Sequence, residues 1–210
     1  MHLLQKLGML CAALAVASCA PVQPRFLEKF QDIQIPPERI SQKGFSLVPV
    51  NEKGWVVTGR GASQLTLGKF GKTPEENVVI RALLFRLPPF KTNEEFVRVI
   101  KEAEAKNINP ERLKLIKHEV VTYPNKGTDC TKSHMAAEDH AAAKKVGKTG
   151  VMVQEALMLT CAHPKDKGVG VNVGYSHRYY PEQRDPMFLE KATSVLDSVG
   201  PSRASLSAAA

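Results

Sequence analysis

The side chains best suited to chemistry gather between residues 130 and 180. His134, Glu138, Asp139 and His140 form the one cluster of metal-ligand types. On a strand, His134, Glu138 and His140 share a face because they differ by even numbers; on a helix, His134 and Glu138 do. Three such ligands suit a zinc ion with an open position, the basis of a hydrolase or other metalloenzyme. Solvated polar residues on an exposed face have the same appearance in sequence. His163, His177 and Tyr179 are further groups that folding could bring to this cluster. Tyr175-Ser176-His177-Arg178-Tyr179-Tyr180 reads either as a ligand-contacting edge or as an amphipathic strand beneath a helix. Two motifs fail on inspection. Gly147-Lys148-Thr149 suggests a phosphate loop, but that loop's first glycine falls at Ala142 and no helix follows. Gly174-Tyr175-Ser176 lacks the closing glycine of a nucleophile elbow.

The N-terminus carries a different chemistry. Lys6 lies in a short charged region, and an apolar run follows from Leu7 through Ala17, broken by Gly8. A run this short does not span a bilayer, which needs about 20 residues, and it matches the h-region of an export signal over residues 1–18. The junction reads Val16-Ala17-Ser18-Cys19. It resembles the bacterial lipobox, in which an aliphatic residue and two small ones precede a cysteine. The resemblance implies cleavage before Cys19, diacylation of its thiol and acylation of the new amine. Ala20 stands where an aspartate would resemble the inner-membrane retention signal. The expected location is therefore the outer membrane, facing the periplasm, in a two-membrane bacterium. Two or more acyl chains make such an anchor stable.

Export places the other cysteines in an oxidising space. Cys11 leaves with the leader and Cys19 takes up lipid, so Cys130 and Cys161 remain as an even pair. If Thr128–His140 and Gly150–Cys161 pair as a hairpin around Ala141–Thr149, Cys130 falls directly opposite Cys161. The alanine-rich stretch His134–Lys145 could instead be helical, and the register would then be coincidence. A redox-active pair would normally use Cys-x-x-Cys spacing, so a structural disulfide is the expectation.

The elements that must position these groups are mostly strands. Residues 19–43, with Pro21, Pro24, Pro36 and Pro37, read as a lipidated cysteine followed by a tether. A globular domain is expected over 44–200 and a frayed tail over 201–210. Strands are predicted at Phe45–Val50, Trp55–Val57, Ser63–Phe70, Asn77–Leu87, Leu113–Thr122, Gly150–Cys161 and Val169–Tyr180. Asn93 is expected to cap a helix with Phe96, Val97, Ile100 and Ala103 on one face. Asp185-Pro186 opens a last helix, with Phe188, Leu189, Ala192, Val195, Leu196 and Val199 at helical spacing. The expected class is α+β, an antiparallel sheet of about six or seven strands covered by two or more helices. The element order and the final helix, Phe188-Leu-Glu-Lys-Ala-Thr-Ser-Val-Leu-Asp-Ser-Val, are loosely similar to PsbP-like αβα sandwich domains. That similarity implies a partner-binding rather than a catalytic domain.

The 210 residues carry a formal net charge of +8. The cations are scattered, the densest group being Lys144, Lys145 and Lys148, without the single basic stripe and interleaved aromatics of a nucleic-acid binder. The expectation is a lipid-anchored envelope lipoprotein with a non-catalytic binding or assembly-support domain and no cofactor or catalytic residue. Its partner would be an envelope protein or small ligand. The alternative is a periplasmic hydrolase or metalloenzyme built on His134, Glu138 and His140.

Overall fold

The computed structural model describes residues 30–71, 76–124, 129–141 and 151–202. The leader, Cys19, the glycine-lysine-threonine loop and the tail beyond Ser202 lie outside them. Strands β1 (Gln31–Asp32), β4 (Val56–Arg60), β5 (Gln64–Phe70), β6 (Asn77–Arg86), β7 (Leu113–Thr122), β8 (Cys130–Asp139), β9 (Met152–His163) and β10 (Asp166–Tyr179) form one antiparallel sheet in the order β1-β4-β5-β6-β10-β9-β8-β7. A separate hairpin joins β2 (Ile40–Gln42) to β3 (Phe45–Leu47). Helices α1 (Asn93–Lys106) and α2 (Phe188–Ser198) complete the α+β architecture.

Strand alternation explains which residues go where, since successive side chains leave opposite faces of a sheet. On one face Ile80, Ala82, Leu157, Leu159, Val171, Val173 and Tyr175 form the main core. Phe188, Ala192, Val195 and Leu196 of α2 cover it, together with Phe45 and Leu47 of the β2–β3 hairpin. These α2 residues recur at helical spacing and turn one stripe inward. The opposite face carries a smaller cluster, in which Phe96 and Ile100 of α1 meet Leu87, Ala162, Phe85 and Val120. The two helices therefore clasp opposite faces of the sheet.

Two boundaries differ from the sequence reading, and a third segment, left open between strand and helix, follows the strand reading. Gln31–Asp32 pairs with Val57 and Val56, and Ile40–Gln42 forms half of the small hairpin, so part of the segment read as tether belongs to the domain. Ile33 and Ile40 pack against the main core there, an apolar gain that Pro36 and Pro37 between them do not obstruct. The cap of α1 is Thr92, not Asn93: its hydroxyl accepts from the Glu95 N–H at 3.2 Å. Glu94 and Glu95 then occupy the first turn, where the helix dipole favours them. The alanine-rich stretch from His134 stays extended through Asp139, and only His140 and Ala141 are helical among its described residues.

Gly170 opposes Phe85 in the β6–β10 ladder, and a Cβ there would stand 2.3 Å from the Phe85 ring. The absence of a Cβ there makes room for the ring over the strand. None of the helices among the described residues is long and apolar enough to cross a membrane.

Candidate functional site

Cys130 and Cys161 are directly opposed in the β8–β9 ladder, with Thr131 opposite Thr160 and Asp139 opposite Met152. Their sulfurs are 2.08 Å apart and their Cα atoms 4.1 Å, a disulfide at the register the hairpin reading places it. The bridge lines an apolar recess of about 180 Å³ with Phe45, Leu159, Val171 and Pro201.

His134, Glu138 and His140 do not converge. His134 Nε2 lies 2.9 Å from Glu155 Oε1, and its ring stacks over Phe188 of α2. Glu138 instead contacts His140 Nε2 at 3.1 Å and Lys114 at 3.5 Å, near the far end of the strand. Four residues of strand separate the two locations, roughly 13 Å. Among the described residues, no three His, Cys, Asp or Glu side chains are placed to hold a metal ion. His163 sits at the opposite end of β9, buried, accepting from the Lys165 N–H at 3.2 Å.

What the fold builds is a network centred on Glu155, a residue whose type alone had not marked it. Its side chain is on the α2 face and the residue is 3% exposed. Arg184, from the segment between β10 and α2, grips it with Nε at 3.1 Å and Nη2 at 3.1 Å. Tyr179 O–H donates to the same carboxylate at 2.9 Å, and His134 completes the set. Burial alone would raise the Glu155 carboxyl, but the hydrogen bonds from Arg184, His134 and Tyr179 outweigh it and hold it below its ordinary value. Burial and the bond to Glu155 push the Tyr179 hydroxyl up to about 12. The His177 ring lies tilted against Tyr179, with centroids 4.6 Å apart, and burial lowers its pKa. The polar and aromatic stretch is thus, through Tyr179, a strand that runs beneath the last helix, with Tyr175 touching both Trp55 and Phe188.

Three further carboxylate groupings follow the same plan. Lys191 of α2 bridges Glu52 at 2.6 Å and Asp185 at 2.7 Å, while Lys69 of β5 reaches Glu52 at 2.7 Å. Asp139, fully buried, receives Arg112 at 3.0 and 2.7 Å and Arg178 at 3.1 Å. Glu104 of α1 accepts from Ser133 at 2.7 Å and contacts His118 at 2.9 Å. Each grouping ties one element to another. Chemically they act as clamps, with opposite charges and hydrogen bonds offsetting the desolvation of the buried carboxylates.

Beside the clamps lies an open groove of about 330 Å³ between β7, β8 and α2. Val121, Leu157 and Leu189 give it an apolar lining, and Glu119, Lys132 and His134 supply polar groups. Val121 and Leu189 are exposed, at 39% and 46%, as are Leu115 and Ile116 farther along β7. Groove volumes of this size lie at the lower end of those that take small ligands or side chains. No protein-family model matches this chain, and no curated protein matches it.

Proposed function

We propose that this chain is a cell-envelope lipoprotein, anchored through acylated Cys19, whose domain is a non-catalytic binding or assembly-support module facing the periplasm. The anchor follows from Val16-Ala17-Ser18-Cys19 at the end of an apolar leader. The binding role is carried by one observation: the buried sheet carboxylates Glu155 and Asp139 are held in clamps between elements, while a groove with an apolar lining opens at the sheet edge. A stapled, clamped sheet is a suitable rigid platform for such a surface.

Metabolic labelling with palmitate and membrane fractionation test the anchor in a two-membrane host. Label at Cys19 and sedimentation with outer-membrane markers are expected, both lost in Cys19→Ala. An unlabelled, freely soluble wild-type chain overturns the anchor. Metal analysis tests the domain: stoichiometric zinc that disappears in His140→Ala would overturn the non-catalytic reading.

A further inference from the structure

The outer edge of β7 has no strand beside it among the described residues. Tyr123 N–H donates to the Cys130 carbonyl at 2.8 Å, and the β7–β8 register runs on through Val121↔Lys132 and Glu119↔His134. Antiparallel ladders alternate, so Lys117, Glu119 and Val121 turn their backbone groups toward β8. His118 and Val120 turn theirs outward. The side chains sort by face as well. Lys117 and Glu119 share the α2 face, both exposed, and pair with each other at 3.1 Å. His118 leaves on the other face and meets Glu104 of α1 at 2.9 Å. Ile116, at 61% the most exposed large apolar side chain among the described residues, stands at the start of this stretch, where the register shifts.

We infer that this edge is where a second copy of the chain pairs, β7 against β7, about a two-fold axis at His118. The inference goes beyond the binding-module reading and does not rest on it. Ile116-Lys117-His118-Glu119-Val120 is its own complement when read antiparallel. The axis sets Lys117 against the partner's Glu119, and Glu119 against the partner's Lys117. It likewise sets Ile116 against the partner's Val120, which covers the exposed side chain. Because His118 faces outward, it meets the partner's His118 as a hydrogen-bonded pair. Lys117 and the partner's Glu119 then form a non-hydrogen-bonded pair, where side chains come closest. The ion pair within each copy becomes half of a square of four alternating charges.

Neighbouring registers lose this match. An axis at Glu119 stacks the two Glu119 carboxylates, and one at Val120 sets Glu119 against the partner's Val121. The chain's own undescribed stretches lack the match too. A strand that answers Lys117-x-Glu119 must carry a cation and a carboxylate two residues apart. That spacing occurs nowhere in 1–29, 72–75, 125–128, 142–150 or 203–210. The stretches next to β7 and β8 in the chain, 125–128 and 142–150, hold no carboxylate at all.

Two full-length copies with different affinity tags, co-expressed and solubilised in detergent, test the pairing by capture of one copy through the other. Wild-type copies are expected to co-purify. Lys117→Glu in both copies sets like charges at both contacts and should lower recovery by about tenfold, as should Glu119→Lys in both. A Lys117→Glu copy expressed with a Glu119→Lys copy restores opposite charges at both contacts, and recovery should return to near the wild-type level. Both positions are surface side chains, and unchanged melting temperatures verify that the variants fold. Recovery that the single variants leave unchanged, as sharing of one micelle would give, overturns the pairing. So does a mixed pair that stays at the single-variant level, and so does the absence of wild-type co-purification. Hydrogen exchange of the wild-type chain should show the His118 and Val120 amides opening on dilution. Protection independent of concentration assigns the edge to a segment of the same chain and overturns the proposal.

Discussion

At the scale of single residues, Glu155 decides how α2 meets the sheet. Removing its carboxylate leaves Arg184, Tyr179 and His134 without their common acceptor. Glu155→Ala should cost about 2–3 kcal/mol in chemical denaturation, below a fully buried pair because Arg184 can rehydrate. A double-mutant cycle with Arg184→Ala should give a smaller loss than the two single losses together. The pH dependence has a worked sign. The Glu155, Glu52 and Asp185 carboxyls are held below their ordinary values, so their contribution is complete above about pH 4.3 and drains as pH falls through the folded values. Burial lowers His163 and His177, so the unfolded chain takes up protons first and stability falls as pH drops below about 6.5. Urea midpoints measured from pH 7 to pH 3 should therefore decline in two stages. His177→Gln should flatten the first. Residue types alone could nominate His134 but not its partner, because Glu155 and Arg184 lie 21 and 29 positions from the groups they meet.

At the scale of elements, the β8–β9 hairpin was the most legible part of the chain. Two cysteines opposed about a turn give a single register, and the strands adopt it. Strand β10 and the stripe of α2 were legible for the same reason, since their apolar periods are long and unbroken. The pieces β1 and β2 are two and three residues long, too short to express a period, and both lie in a proline-containing stretch, whereas β3 falls within the strand predicted at Phe45–Val50. The disulfide closes a separation of 31 residues, which in the chain-entropy model contributes about 3–4 kcal/mol. Reduction, or Cys130→Ser with Cys161→Ser, should lower the melting temperature by on the order of 10 °C in scanning calorimetry. An unchanged transition would mean that the bridge does not constrain the unfolded chain.

For the whole molecule, the strand order divides the sheet into two antiparallel groups. Strands β4, β5 and β6 form a meander with β1 at its edge, and β7 through β10 form a second. The groups meet at one seam, where β6 lies beside β10, and α1 carries the chain from that seam to the far edge. That long-range pairing was not legible, because nothing in two apolar strands states which will be neighbours. The clasp of α1 and α2 on opposite faces depends on it.

The Cys130–Cys161 bridge lies wholly inside the second meander. Oxidation therefore requires only neighbouring hairpins, whereas the seam must bring together residues such as Phe85 and Gly170 across the length of α1 and three strands. The expected order of assembly is that the C-terminal meander closes and oxidises first, with the N-terminal half docking onto an already covalently fixed template. Quenched refolding with thiol trapping should find the disulfide formed before the β6 amides are protected from exchange. Protection of β6 while both thiols remain free would reverse that order.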